Sequence, residues 1–295
     1  MRPQRISRDR ILTEMVAHGA DSRMALCRAT GASKASISRT VDELIRRGEV
    51  REGEALDQSG PGRPAARLHV RDDLAYVVGA DLEGRAMRAV VLDAERHVLA
   101  GRRWAVDPRW SMHAVMDRWV ALIERVLAEA SVPRERLVAL GVGLPGAVLC
   151  GELRIRTYFP PGRWVDHDVG EALRRLGLAI EAGNNALCVG EYERRVGVAR
   201  GRGDFAAVLA RYGIGAAVCL GGSFVVGEKV LVGELGHMRI ATDGPTCICG
   251  RAGCLDALCS ARALDRETSG GPGSRADALA AAAAAVGVGL ANLLK

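Results

Sequence analysis

The sequence predicts an α/β chain in two parts: a small helical module with a two-stranded wing, then a larger body of alternating strands and helices. Three observations carry that reading. Residues 7–47 hold three stretches with apolar residues at helical spacing, separated by capping residues and a glycine. From Leu74 the texture changes to glycine-punctuated, β-branched runs. Between those runs lie helical stretches, the alternation that marks α/β domains. At 295 residues the chain exceeds the usual size of one compact domain, and the change of texture divides it into 1–72 and 73–295.

In the stretch SRDRILTEMVAHGADSRMALCRATGASKASISRTVDELIRR, residues Ile11, Leu12, Met15 and Val16 define the first helix. Asp21 or Ser22 caps a second helix carrying Met24, Leu26 and Ala29, and Gly31 ends it. Ser33 caps a third, whose Ile37, Val41, Leu44 and Ile45 recur at helical spacing on one apolar face. The opposite face presents Lys34, Ser36, Ser38 and Arg39. Strands at 49–51 and 67–70 make the wing, and the SGPGRPAAR segment before the second places Arg63 within reach of a minor groove.

A helix, a glycine turn and a helix that opens with small polar and basic residues suit insertion into a major groove. Hydroxyls and a guanidinium there reach base edges and phosphates, where bulky groups would block approach. Ser33, Lys34, Ser36, Ser38, Arg39 and Arg63 are therefore the candidate contacts to a double-stranded DNA operator. The first 70 residues hold 13 Lys+Arg against nine Asp+Glu, most of the net charge of +6. That surplus is small, and a three-helix module that binds protein instead is the competing reading.

Composition narrows the classes. Hydrophobic residues make up 48% and charged residues 26%, the balance of a folded soluble protein and not of a disordered one. The opening MRPQRISRDRILTEM mixes arginines with acidic residues and lacks an apolar core, so a cytoplasmic location is expected. The eight cysteines then read as reduced thiols and metal ligands, not a disulfide framework. One segment, residues 276–294, has the length of a membrane span. Its alanines and glycines contribute little transfer free energy and Asp277 sits near its start, so a buried helix of a soluble protein, with no membrane partner, is expected.

In the body, the runs AYVVGADLEGRAMRAVVLD, LVALGVGLPGAV and FAAVLARYGIGAAVCL read as strands, and residues 112–130 and 169–176 as helices. The stretch from Gly233 to Cys254, GELGHMRIATDGPTCICGRAGC, gathers His237, Cys247, Cys249 and Cys254 within eighteen positions. Three thiolates and one imidazole suit a tetrahedral Zn²⁺ whose positions are all filled, which makes the site structural, since catalytic zinc keeps one position open. The alternative is a set of buried free thiols beside a satisfied histidine.

These residues also resemble a known family. Gly233, Glu234, Gly236 and His237, followed by Cys247, Cys249, Gly250, Gly253, Cys254 and Leu255, match the zinc motif of the ROK family (repressors, open reading frames and kinases); Asp256 stands where the family has glutamate. The resemblance implies an actin-like, ribonuclease H-like ATPase fold of the ROK sugar-kinase type, with the zinc loop at 233–256. The helical module with its Gly-Arg-Pro wing is similar to the winged helix-turn-helix of ROK repressors. Family members continue past an Ala-Gly helix, so the body is expected to be C-terminally shortened.

The resemblance also exposes departures. The family's phosphate loop, Asp-x-Gly-Gly-Thr, falls on Asp81, Leu82, Glu83, Gly84 and Arg85, where a carboxylate that repels phosphate replaces a glycine. The family's general base falls on Gly183, and the amides of Asn184 and Asn185 that follow have no pKa for proton abstraction. Gly213-Ile214-Gly215 survives as a family-like turn. Of the sugar-binding set, Ala182 and Gly183 lose two polar contacts, residues 158–160 hold no asparagine, and Glu234, His237 and Asp256 remain as candidate effector-binding residues. Bracing of the zinc loop is the other role open to Glu234 and Asp256. The expectation is a non-enzymatic, DNA-binding repressor, a homo-oligomer (dimer or tetramer), with structural Zn²⁺ and a small-molecule effector of sugar-like or other chemistry. The alternative is a residual hexose or aminosugar kinase carrying a DNA-binding module.

Overall fold

The structure, a computed structural model, describes residues 6–55, 66–107, 109–146, 148, 153–158, 164–227, 234–269 and 275–293. The chain divides into two compact units. One comprises Met1–Gly79, Ala89–Arg102 and Ile123–Leu140, the other Ala80–Arg88, Arg103–Leu122 and Gly141–Lys295.

The first unit opens with three helices, α1 (Arg8–His18), α2 (Arg23–Thr30) and α3 (Lys34–Arg46). Each starts on a serine whose hydroxyl accepts from an amide of the first turn: Ser7 from Arg10, Ser22 from Ala25 and Ser33 from Ser36. Two antiparallel strands follow, β1 (Val50–Ala55) and β2 (Ala66–Val70), with Val50 opposite Val70 and Glu52 opposite Leu68. Both strands run longer than their sequence pattern suggested. Ile11, Leu26, Ile37, Val41, Leu44, Val50 and Leu68 are buried together, and each such side chain contributes about 1.5–3 kcal/mol. The same core takes in Leu74 and Ala94, and the Ala94 amide donates to the Asp72 carbonyl, so the packing of this module continues beyond residue 72.

The chain then supplies β3 (Tyr76–Glu83), β4 (Ala86–Leu92), β5 (Val98–Ala105), α4 (Met112–Ala130) and β6 (Leu137–Leu144). A hairpin β7 (Arg154–Tyr158) and β8 (Trp164–Asp168) precedes a short α5 (Gly170–Arg174), then β9 (Ile180–Asn184) and α6 (Asn185–Arg195). Five of these strands form one sheet in the order β5-β4-β3-β6-β9, so β3 lies at its centre. Strand β3 alternates buried and half-buried positions along its whole length, as a sheet covered on one face requires.

A second, antiparallel sheet is built from β10 (Phe205–Ala210), β11 (Ile214–Leu220) and β12 (Ser223–Phe224), and α6 packs on it. The described chain ends with α7 (Leu255–Cys259), α8 (Ala261–Ser269) and α9 (Arg275–Leu293). The expectation that α9 is buried fails. Ala282 and Gly289 are buried on the side toward α7, whereas Leu279 and Val288 are each 48% exposed. The helix is apolar all round, so packing one edge leaves the rest in solvent. Among the described residues, Ala276–Leu293 is the one helix long and apolar enough to cross a membrane by length and composition.

Candidate functional site

Three sets of residues were expected to carry chemistry. On α3, Ser33, Lys34 and Arg39 are exposed and Ser38 is half-buried. Ser36 departs from expectation: it is buried, and its hydroxyl accepts from the Ile6 amide. One turn later Thr40, also buried, donates to the Ile6 carbonyl, so the segment before α1 covers that stripe of the helix. The outer face is left with Lys34, Ala35, Ser38 and Arg39. Arg63 lies outside the described residues.

The second set is the His/Cys cluster. His237 sits at the end of a single helical turn, Leu235–His237, and Cys254 is the residue on which α7 begins. Between them the chain folds into a knuckle: the Cys247 amide donates to the Arg251 carbonyl, and Ile240 to that of Gly253. Gly253 has φ +73° and Gly236 fits against the Ile214 carbonyl, 2.3 Å from where its Cβ would lie, so neither position accepts a side chain.

Nδ1 of His237 and the three sulfurs of Cys247, Cys249 and Cys254 lie within 4.8 Å of one another. The His237 Nδ1–Cys247 Sγ distance is 3.5 Å and the Cys249 Sγ–Cys254 Sγ distance 3.6 Å. Ligands at zinc bond lengths around one tetrahedral centre are separated by about 3.5–3.8 Å, which these two separations match, so the four residues form a group that could hold a metal ion. Burial pushes the Cys254 thiol up to about 12 and raises Cys247 as well. Burial also opposes ionisation of Cys249, but hydrogen bonds from the Arg251 amide and guanidinium outweigh it and bring that thiol to about 6. One ready thiolate thus stands among thiols that a cation is needed to ionise.

Behind the cluster, Nε2 of His237 faces the Glu234 carboxylate at 3.7 Å, and Glu234 is well exposed. Asp256 is placed differently. It is buried, its Oδ1 accepts from the Ile214 amide at 3.0 Å, and its Oδ2 pairs with Arg262. Burial raises its pKa and Arg262 opposes that rise. Both oxygens are engaged within the protein, so Asp256 ties the start of α7 to the turn before β11, as a brace does. Gly233 and residues 159–160 lie outside the described residues.

The third set is the turn between β3 and β4 with the start of α6. Arg88 on β4 donates from Nη1 to Asp81 Oδ2 at 2.6 Å and to Glu83 Oε2 at 2.8 Å. Arg211 adds a second guanidinium, 3.3 Å from Asp81 Oδ2 and 3.8 Å from Glu83 Oε2, and the Tyr212 amide donates to Glu83 Oε1 at 3.4 Å. Burial raises the pKa of Asp81, and the two arginines pull it back. Neither arginine was identified as a site residue from the sequence, although each announces itself there as a charge inside an apolar run, AMRAVVL and FAAVLARYGIG. Gly183 is buried at the end of β9, and the amides beside it are committed elsewhere: Asn184 caps α6 and donates to the Gly146 carbonyl, and Asn185 donates to that of Leu82.

Residues 77–285 match the model of the ROK family. The chain belongs to that family. A putative xylose repressor from Caldicellulosiruptor sp. is 28% identical over 260 residues, covering 86% of this chain and 63% of that protein, so the chain spans just under two thirds of the relative's length. A solved ROK hexokinase from Thermus thermophilus has 30% sequence identity and a TM-score of 0.55, over 74% of this chain and 77% of that one. A ROK family transcriptional regulator, a homolog of the E. coli MLC protein, has 22% identity and a TM-score of 0.64, over 89% of this chain and 68% of that one. That last likeness speaks for the fold: an α/β, ROK sugar-kinase-like body. Within the matched residues, Asp81, Glu83, Arg88 and Arg211 form one charge network, and residue 183 is glycine.

Proposed function

We propose that this chain is a DNA-binding transcriptional repressor of the ROK family, cytoplasmic and dimeric, whose kinase-like body no longer transfers phosphate. Residues 1–72 form the winged helix-turn-helix and residues 73–295 the effector and dimerisation body. The observation that carries the reading is the asymmetry of α3: one side is packed into the core through Ile37, Val41 and Leu44, and the other presents Lys34, Ala35, Ser38 and Arg39 without a bulky apolar side chain. Similarity to a xylose repressor supports it. In a symmetric dimer two such helices read paired half-sites, and a ligand that binds one arrangement of the body better than another alters their spacing.

The His237, Cys247, Cys249 and Cys254 set holds Zn²⁺, whose part is to fix the knuckle. Nδ1 of His237, which faces Cys247, would be taken up by the metal, and the ring's second nitrogen is turned to Glu234, which leaves Glu234 and His237 as the polar groups on offer to a small-molecule effector. Loss of kinase activity is supported by Gly183 and by the carboxylate at Glu83.

The test is a gel shift with DNA from upstream of the chain's own gene. A shift that weakens with salt, and at least tenfold with Arg39→Ala, is expected. Absence of any shift by the folded full chain would sink the reading. The 30% identity to a ROK hexokinase favours a second reading, a residual sugar kinase, which requires ADP release from ATP with a hexose or aminosugar.

A further inference from the structure

The Glu83 carboxylate is surrounded as a bound anion would be. Arg88 Nη1 lies 2.8 Å from one of its oxygens, Arg211 Nη1 approaches the same oxygen at 3.8 Å, and the Tyr212 amide donates to the other at 3.4 Å. Two guanidiniums, each also paired to Asp81 Oδ2, and a backbone N–H reach this one carboxylate and form a donor set suited to a tetrahedral oxyanion. Here the chain fills it with its own side chain, 13% exposed, reached from the last position of β3.

The donors also have a structural job. Arg211 and Tyr212 belong to the turn between β10 and β11, which Asp256 holds through the Ile214 amide and which accepts at the Arg211 carbonyl from the Ala261 amide. Glu83 therefore fastens the β3–β4 turn to the same turn that the start of α7 and α8 grips from the other side.

We propose that Glu83 is a tethered internal anion, which keeps shut a cryptic site for phosphate-class oxyanions and pins the Arg211–Gly215 turn without any ligand. The proposal rests on the reading of this body as a non-transferring kinase relative and goes further, because it says what took the ligand's place. It requires that removing the Glu83 charge leaves the two guanidiniums sharing Asp81 alone, a net charge of +1 open to solvent anions.

The experiment is calorimetric titration of the full chain with inorganic phosphate, and in parallel with ADP, for the parent, Glu83→Gln and Glu83→Gln/Arg211→Ala. Circular dichroism and zinc content establish that each is folded. The parent is expected to show no phosphate binding in the millimolar range, Glu83→Gln at least a tenfold gain, and the double variant a loss of that gain. Phosphate that displaces ADP assigns a nucleotide as the source, and phosphate without ADP assigns the free oxyanion; either supports the proposal. Glu83→Gly, which also removes the side chain's bulk, is titrated as a second variant. A parent that takes phosphate as tightly as the variants, or folded Gln and Gly variants that take it no better than the parent, would overturn it. ADP release by the parent from ATP and a hexose would instead overturn the non-transferring reading, so the two failures are distinguishable.

Discussion

The two polar clusters of the ROK body differ in what they leave unmet. In the His/Cys knuckle four ligand atoms lie within 4.8 Å of one another, and the Arg251 guanidinium is hydrogen-bonded to Cys249 among them. In the Asp81–Glu83–Arg88–Arg211 cluster two carboxylates meet two guanidiniums, and its formal charge closes to zero. The first arrangement is incomplete without a cation. The second needs nothing from outside, although its parts are of the kind that bind anions. Donors of one kind turned toward a common centre suit a cation, and a cluster whose charges already cancel has supplied its own partner.

The largest effect is expected from breaking the first cluster. With the proposed Zn²⁺ bound, Cys247→Ser or a strong chelator would remove the charge that offsets thiolate repulsion and leave a knuckle with little apolar core of its own. Limited proteolysis should then cut within residues 238–254, with stability lost on the order of several kcal/mol. A chelated protein that stays protease-resistant and melts at the same temperature would place the knuckle with the self-sufficient cluster. Arg88→Ala is the matching blow to the second. It strands Asp81 and Glu83 in a half-buried turn with Arg211 alone, and a loss of about 1–3 kcal/mol is expected by chemical denaturation, reduced because Arg88 is 31% exposed. Chelation should not add to the Arg88→Ala loss beyond its own effect, since the clusters share no residue.

The two clusters also differ in how far the sequence disclosed them. The knuckle was legible because metal ligation confines its residues to eighteen consecutive positions with fixed chemistry at each. The charge cluster was not, because its partners meet through the fold: the Arg211–Asp81 pair is separated by 130 positions. The same reason explains Ser36. Helical spacing put Ile37, Val41 and Leu44 on the inner face correctly, but the segment that buries Ser36 arrives from Ile6, 30 positions away, and belongs to no periodic pattern. For Asp256 the sequence left two roles open, a ligand contact and a brace of the zinc loop. Its partner Arg262 is only six positions on, yet nothing in the sequence signals that the chain turns between α7 and α8 to bring the guanidinium back. Helix α4 was legible over its full length because nineteen residues of apolar periodicity leave little room for another reading. For α9 the composition gave the helix but not its surroundings, since a helix apolar on every side has no pattern to say which edge is covered.

The smallest structural effect separates the two ways a kinase site can be lost. On the proposed non-transferring reading, Gly183→Asp would confer turnover if the glycine at position 183 were the whole deficit. A Cβ at Gly183 meets Cys188 Sγ at 3.5 Å and Leu187 at 4.0 Å, ordinary contact distances, and the backbone there is a regular strand. The Cβ should therefore be tolerated, the remaining cost being that of placing a carboxylate at a buried position. ADP release with ATP and a panel of hexoses should nevertheless stay at background, because a base acts only on a substrate held beside a phosphate, and Glu83 keeps Arg88, Arg211 and the Tyr212 amide occupied. Measurable turnover by Gly183→Asp alone would mean that ATP displaces Glu83 unaided, and the cluster would then be a gate that ligand can open instead of a closed pair of charges.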